Sequence, residues 1–366
     1  MKKNSIHIES DLQILGKIKS LRQKTLKRRK NLSNLQLERP ISFWIKKDRL
    51  IDEIGKEFTI ILRTKGCSWS LGDSGGCSMC GYIQDAAGED INQDHIIKQF
   101  DYAFNSKIKE IIDDDANYII KIFNSGSFFD DNEISDKVRM YIYEKIAGIN
   151  NIKEFVIESR LEYINLEKLI GLRKKLNRKY IEIAIGLETV NDYIRTYYIN
   201  KGMLFNDFKN VLNMCKENGI GVRVYLLLKP PFLNEEGAID DCINSITNLI
   251  KLKVNTISVN PVNIQKGTLV EYLYLQNRYR PPWYYSLFKV FKKSISQEDL
   301  KNVRIVSDPS GAGTKRGIHN CLKKECENTA KKSLNNFVLS QDLATLNQLE
   351  FECDCKRKYP FEKQFH

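Results

Sequence analysis

No run in the sequence approaches the roughly 18 uninterrupted apolar residues that a membrane span requires, so no membrane partner is expected. The opening Met1-Lys-Lys-Asn-Ser-Ile-His-Ile-Glu-Ser-Asp-Leu-Gln13 puts acids and polar residues where a secretory leader needs its apolar region. The expected location is therefore cytoplasmic. No internal repeat and no long low-complexity segment interrupts the sequence, which argues against a repeat architecture. Cysteine is absent before Cys67, and seven of the nine cysteines then fall in two clusters. In a reducing cytosol such clustering points to metal or redox chemistry rather than to disulfides.

What is present fits a soluble globular protein: 366 residues, 42% hydrophobic and 28% charged. A net charge of +12 and a pI near 9.1 suggest a polyanionic partner, with nucleic acid first because Lys and Arg gain affinity by releasing phosphate counterions. Much of the charge lies in Lys17-Ile-Lys-Ser-Leu-Arg-Gln-Lys-Thr-Leu-Lys-Arg-Arg-Lys30. A lysine-rich codon bias is the competing explanation; it accounts for the overall lysine content better than for this local cluster.

Residues 9–30 read as a basic helix with Leu12, Leu15, Ile18 and Leu21 as its apolar stripe. Arg39-Pro-Ile-Ser-Phe-Trp44 marks a transition. Beyond it, short β-branched runs alternate with helical stretches. The expected strands are 58–63, 118–123, 154–158, 181–186, 222–228 and 256–260, with amphipathic helices such as 96–112, 166–176 and 208–218 between them. This alternation predicts an α/β fold, a parallel sheet with helices outside, as a partial (β/α)6 TIM-like barrel. The expected organisation is a basic helical extension over 1–50, the barrel over 51–295, and a C-terminal extension over 296–366. That extension holds a further strand at 303–306, a glycine-rich turn and four cysteines. In barrels the chemistry sits at the carboxyl ends of the strands.

The first expected strand runs into Arg63-Thr-Lys-Gly-Cys67, and the loop continues to Gly76-Cys77-Ser-Met-Cys80-Gly-Tyr82. The spacing is C-x9-C-x2-C. Three thiolates on a glycine-rich loop can wrap an iron–sulfur cubane and leave one iron open for a small-molecule cofactor. The alternative is a zinc site completed by a distant ligand such as His95 or a C-terminal cysteine.

On these residues the sequence resembles the radical S-adenosylmethionine (SAM) superfamily, and the long spacing is similar to its Elongator-like branch. The resemblance implies a [4Fe-4S] cluster on Cys67, Cys77 and Cys80. It also implies SAM chelated at the open iron and cleaved to a 5′-deoxyadenosyl radical. Ser125-Gly126-Ser127 looks like the segment that meets the methionine amino group, with Ser-Gly-Ser in place of the usual Gly-Gly-Glu. Glu158-Ser-Arg160 resembles the branch's Glu-Thr-Arg; the carboxylate suits ribose hydroxyls or the amino group, and the arginine suits the methionine carboxylate. Gly186-Leu-Glu188 resembles a further cofactor-contacting turn. Lys229-Pro-Pro231 resembles the Pro-Gly turn of the fifth strand without its glycine, and Asn260–Thr268 resembles the closing Pro…Gly-Thr segment.

Cys321, Cys326, Cys353 and Cys355, with His319 nearby, suit a zinc site that fastens the tail, or a second iron–sulfur cluster. Cys215 and Cys242 sit in helical patterns as core residues. A tail of about 70 residues is too short for the acetyltransferase domain of Elongator-type enzymes. The lack of cysteine before Cys67 argues against a methylthiotransferase. Pro40–Trp44, Leu62–Trp69, Gly76–Tyr82 and His319-Asn-Cys321 resemble the archaeal archaeosine-forming radical enzymes, the RaSEA family. That resemblance implies a lyase acting at position 15 of tRNA. A partner, the archaeosine synthase lysine transferase subunit, attaches lysine to a 7-deazaguanine base, and the radical enzyme breaks the carbon–nitrogen bond at the end of the lysine side chain. Hydrogen loss beside that nitrogen, then electron loss, would give an imine-like species open to hydrolysis. Glu188 or Asp130 is expected to hold the lysine amino group and Arg223 its carboxylate. The alternatives are an Elongator-like radical enzyme acting on a small molecule or protein, or a non-catalytic zinc and nucleic-acid-binding protein.

Overall fold

The computed structural model describes residues 2–28, 32–347 and 353–364. Arg29 and Lys30 of the basic run lie outside the described residues, as does the side chain of Leu12.

Eight strands form one sheet in sequence order: β1 (Ser42–Arg49), β2 (Ile54–Leu62), β3 (Tyr118–Asn124), β4 (Ile152–Glu158), β5 (Tyr180–Glu188), β6 (Gly221–Leu228), β7 (Thr256–Pro261) and β8 (Arg304–Val306). β1 pairs antiparallel with β2, and every later pairing is parallel. Parallel neighbours need crossovers. These are α2 (Gln93–Asp113), α3 (Asp136–Ala147), α4 (Leu166–Lys175), α5 (Phe205–Glu217) and α6 (Glu235–Lys251), with α7 (Leu269–Leu275) and α8 (Tyr284–Ser294) between β7 and β8. A long helix, α1 (Lys2–Lys27), precedes the sheet; α9 (Lys324–Ser340) and α10 (Cys355–Glu362) follow it. The expected α/β partial barrel, basic N-terminal helix and cysteine-bearing C-terminal region are all present.

Each central strand alternates with period two. Ile120, Ile122, Phe155, Ile157, Ile183, Val224 and Val259 belong to the main apolar core with the helices. The alternate positions turn to the interior of the curl and carry unusual polarity there. Arg304, almost wholly buried, donates to Glu154 (2.9 Å), Glu182 (2.7 Å), Thr256 (3.0 Å) and the Arg49 carbonyl (3.0 Å). One side chain thus ties β8 to β4, β5, β7 and β1, which requires the sheet to curl so that distant strands face one another. Lys121 likewise joins Asp48 (2.6 Å) and Glu57 (2.5 Å). Buried charges persist only when paired in this way.

β1 departs from the sequence expectation, which places a transition at 39–44 and no strand. Phe43 and Ile45 pack on the core, and Trp44 donates its indole N–H to Glu57 (2.6 Å). The sheet therefore takes one strand from before residue 51 and one from after 295. Among the described residues, no helix is long and apolar enough to cross a membrane.

Candidate functional site

The loops after the parallel strands gather at one end of the sheet. The loop after β2 carries Cys67, Cys77 and Cys80, and four separate parts of the fold hold it. The Cys67 amide donates to the Ser125 carbonyl in the loop after β3 (3.1 Å). The Asn200 side chain donates to the carbonyls of Ser74 (2.9 Å) and Gly76 (2.8 Å), while the Trp69 indole donates to the Asn200 carbonyl (2.7 Å). Asn200 adopts the left-handed conformation, φ 58°, that ends the π-helical turn Ile194–Ile199 after β5. The segment after β7 contributes the Gln265 side chain, which accepts from the Gly81 amide, and the Leu269 amide, which donates to the Ser78 carbonyl (3.0 Å). Finally, Arg22 of α1 donates to the carbonyls of Gly75 (2.9 Å) and Cys80 (2.7 Å).

The basic helix is thus a lid over the cysteine loop as well as a charged surface. Ile18 is buried in one apolar cluster with Cys77, Ile199 and Leu269, and Ile14 and Leu21 pack on its edge. Its other side leaves Lys19, Lys24, Lys27 and Arg28 exposed.

Burial pushes the thiols of Cys77 and Cys80 up, Cys80 to about 12. Lys201 and Arg160 act against this at Cys77, and Arg22 does so at Cys80. Three thiols carried on one loop, with Lys201, Arg160 and Arg22 acting on them, form a donor set that fits a metal cluster, because bound metal keeps thiols ionised and the cations offset the added negative charge. Neither zinc-completing ligand raised from the sequence reaches this loop: His95 sits beside Glu38 (3.9 Å), and the C-terminal cysteines meet one another.

Ser125-Gly126-Ser127 caps β3 around a residue that no sequence signal marks. Glu133, fully buried, accepts from the Ser127 amide (2.8 Å), Asn124 (2.8 Å) and Thr64 (2.6 Å). A Cβ on Gly126 would collide with its carboxylate, so only glycine fits there. Burial raises the Glu133 carboxyl to about 7. The Ser127 hydroxyl accepts from the Arg160 amide (3.1 Å), which joins the ends of β3 and β4.

Glu158 also lies at this end, and burial lifts it to about 7, with Lys201 opposing and Glu188 and Glu133 reinforcing. The Arg160 guanidinium lies over the Trp69 ring (5.0 Å) and donates to Glu162 (2.5 Å) and the Lys201 carbonyl (3.1 Å). Glu188, at φ 70°, pairs with Lys201 at 2.8 Å. Gly186 makes room for this pair, since a Cβ there would stand 2.5 Å from the Lys201 ammonium and 2.8 Å from Glu188. Lys201 is not foreseeable from the sequence, because it lies on the far side of the π-helical turn and no spacing signals it. Lys229, just before Pro230, takes a positive φ of 68°, a conformation that costs a residue with a Cβ.

Two expected substrate contacts are already engaged. Arg223 is bound to Glu182 (3.0 Å) inside the curl, below the cysteine loop, and belongs to the Arg304 network. Asp130 is buried and accepts from the amide and side chain of Asn132 (3.0 and 3.2 Å), closing its own turn. Arg223 is thus committed to the interior network, whereas both bonds at Asp130 fall on its Oδ1 alone.

On the rim, Tyr193, Tyr197 and Phe232 are exposed around Tyr198. Ring centroids lie 4.8 Å apart for Tyr193–Tyr197, 5.6 Å for Tyr193–Tyr198 and 5.3 Å for Tyr198–Phe232. The π-helical turn bearing these tyrosines packs against α1, so an aromatic patch adjoins a basic one.

The cysteines near the C-terminus converge too. The sulfurs of Cys321, Cys326, Cys353 and Cys355 lie within 4.8 Å of one another. Cys215 and Cys242 are buried in the main core, as expected.

No family model matches the protein. An uncharacterised protein of Methanocaldococcus jannaschii is 40% identical over 93% of this chain and 90% of its own length. Proteins named archaeosine synthase subunit beta match from Methanosarcina acetivorans (37% identity, 86% of this chain, 87% of that one) and Thermococcus kodakarensis (36%, 88% and 97%). Among solved structures, the Elp3 of Methanocaldococcus infernus aligns with a TM-score of 0.47 at 16% identity, over 66% of this chain and 59% of that one. With more than a third of residues identical along most of both chains, this protein belongs to the archaeosine synthase subunit beta family.

Proposed function

We propose that this protein is the radical subunit of an archaeosine synthase. It is a radical SAM lyase that breaks the carbon–nitrogen bond joining the lysine side chain to a 7-deazaguanine at position 15 of tRNA. The observation that carries this reading is the three-cysteine loop at the carboxyl ends of the strands, in a protein 37% identical to one named archaeosine synthase subunit beta. In this reading Cys67, Cys77 and Cys80 would hold a [4Fe-4S] cluster, and the residues around the loop would hold SAM beside it. Cluster and SAM together supply a 5′-deoxyadenosyl radical when bound.

The protein's own groups position and shield. Gly126 bares backbone to the methionine amino group, and Glu133 fixes that turn. Arg160, braced by Trp69 and Glu162, offers its remaining guanidinium N–H groups to the methionine carboxylate. Glu158 serves the ribose or amino group, and the Glu188–Lys201 pair borders the space left for the lysine adduct. α1 and the cysteine loop exclude water from one side.

The exposed lysines of α1 suit tRNA phosphates, and the Tyr193–Phe232 patch suits stacked bases beside a flipped nucleotide. The relatives' designation as subunit beta supports a partner, which we assign as the lysine-transferring subunit that makes the adduct. The test uses reconstituted protein and tRNA whose adduct carries deuterium on the lysine ε-carbon. Deuterium in the recovered 5′-deoxyadenosine is expected; archaeosine formation with unlabelled 5′-deoxyadenosine would contradict the assignment.

A further inference from the structure

Cys321 and Cys326 come from the segment entering α9, Cys353 and Cys355 from the start of α10. All four are free thiols, and three are buried. Their sulfurs pair at 3.6 Å (Cys321–Cys353) and 3.7 Å (Cys326–Cys355), and all six separations fall within 4.8 Å. Four thiolates around one zinc at about 2.3 Å stand roughly 3.8 Å apart in a tetrahedron. A cubane places its irons between the thiolates and spreads them to roughly 6 Å. The observed spacing fits a single ion and is too tight for a cluster.

The surroundings are those of a closed site. The Tyr285 hydroxyl lies 3.3 Å from the Cys355 sulfur, and the Asn320 amide donates to Cys326 (3.6 Å). One oxygen of the buried Glu327 accepts three consecutive backbone amides, those of Asn320, Cys321 and Leu322 (2.8, 3.0 and 3.0 Å), and fixes the first ligand. Trp283 and Tyr359 wall the group in. Meanwhile α10 has only Cys355 buried and a proline inside it, so apolar packing alone holds it weakly.

We propose that Cys321, Cys326, Cys353 and Cys355 bind one zinc ion as a structural staple that docks α10 onto α8. The staple also braces the catalytic end of the sheet. Arg280 stacks on Trp283 (3.7 Å) and donates to the carbonyls of His319 (3.1 Å) and Asn320 (2.6 Å). Its neighbour Tyr279 donates to the Lys229 carbonyl (2.6 Å) at the end of β6.

Metal analysis of the purified full-length protein tests this without reference to the proposed activity. About one zinc per protein molecule is expected. It should persist when Cys67, Cys77 and Cys80 are all replaced by alanine and when Cys215 and Cys242 are replaced by serine. It should fall at least about tenfold in the Cys321→Ser/Cys353→Ser variant. Should that variant misfold, cobalt exchanged into the wild-type protein gives a second readout, the absorption bands of tetrahedral tetrathiolate cobalt. Zinc-free wild-type protein would overturn the proposal, whether peptide mapping then finds disulfides among these cysteines or iron analysis finds about eight irons in place of four.

Discussion

Arg22 of the N-terminal helix donates a guanidinium N–H to the backbone carbonyl of Cys80, 2.7 Å away and 58 residues later in the sequence. A second bond from the same side chain reaches the Gly75 carbonyl at 2.9 Å, so one arginine spans the stretch that contains Cys77. The bond to Gly75 is buried and the bond to Cys80 partly so, and hydrogen bonds to a charged group contribute about 1.5–3 kcal/mol. Replacing Arg22 with alanine should lower stability by roughly that amount and speed iron loss to a chelator several-fold. Iron release and thermal unfolding check this; an unchanged release rate would detach α1 from the cysteine loop.

The Arg304 network gives a sharper stability test. Arg304→Ala leaves Glu154 and Glu182 buried without their shared cation. A loss of about 3–5 kcal/mol is expected in denaturant titrations near neutral pH. Loss below about 1 kcal/mol would mean that water reaches the interior of the curl.

Glu133 sets a pH dependence. Its folded-state value is raised to about 7 from the ordinary 4.5, so the folded protein holds this proton more tightly than the unfolded state does. Its contribution to stability is therefore complete below about pH 4.5 and lost as pH rises through 7, on the order of 3 kcal/mol in all. Glu133→Gln should remove this share of the slope and leave the share that Glu158 contributes in the same window. Glutamine can still accept from the Ser127 amide, and a flipped Asn124, whose Oδ1 is buried without a partner, can take the new amide N–H. Urea midpoints from pH 5 to 8 for both proteins decide it; an identical slope would acquit Glu133.

The aromatic rim should matter for RNA and for nothing else. Base stacking contributes about 1–3 kcal/mol per base, so Tyr197→Ala with Phe232→Ala should weaken tRNA binding by roughly tenfold or more. Iron content and SAM binding should stay as in the wild type. Equal tRNA affinity in the two proteins would remove the rim from the substrate path.

Much of the fold is legible in the sequence. β3 to β7 fall within two residues of their expected bounds, because central parallel strands are buried on both faces and read as unbroken apolar runs. β1 escapes notice because Ser42–Arg49 ends in the charged run Lys-Lys-Asp-Arg, where Lys46 meets Glu57 of β2 and Asp48 meets Lys121 of β3 only once the sheet has formed. The cysteine spacing by itself singles out the loop that the fold places after β2. Lys201, Glu133 and Arg22 stay hidden because each acts through a contact that only the fold creates. Arg223 misleads for the same reason: the sequence displays its charge but not Glu182 beside it.

Everything proposed for the site depends on this three-cysteine centre converting a lysine-modified tRNA into one bearing archaeosine. Mass spectrometry of tRNA nucleosides tests that conversion, after incubating lysine-modified tRNA with SAM, reductant and either reconstituted wild-type protein or the Cys77→Ala variant. Archaeosine should appear with the wild type alone, as the lysine adduct disappears. An intact adduct in the presence of iron-loaded wild-type protein that cleaves SAM would contradict the proposed function.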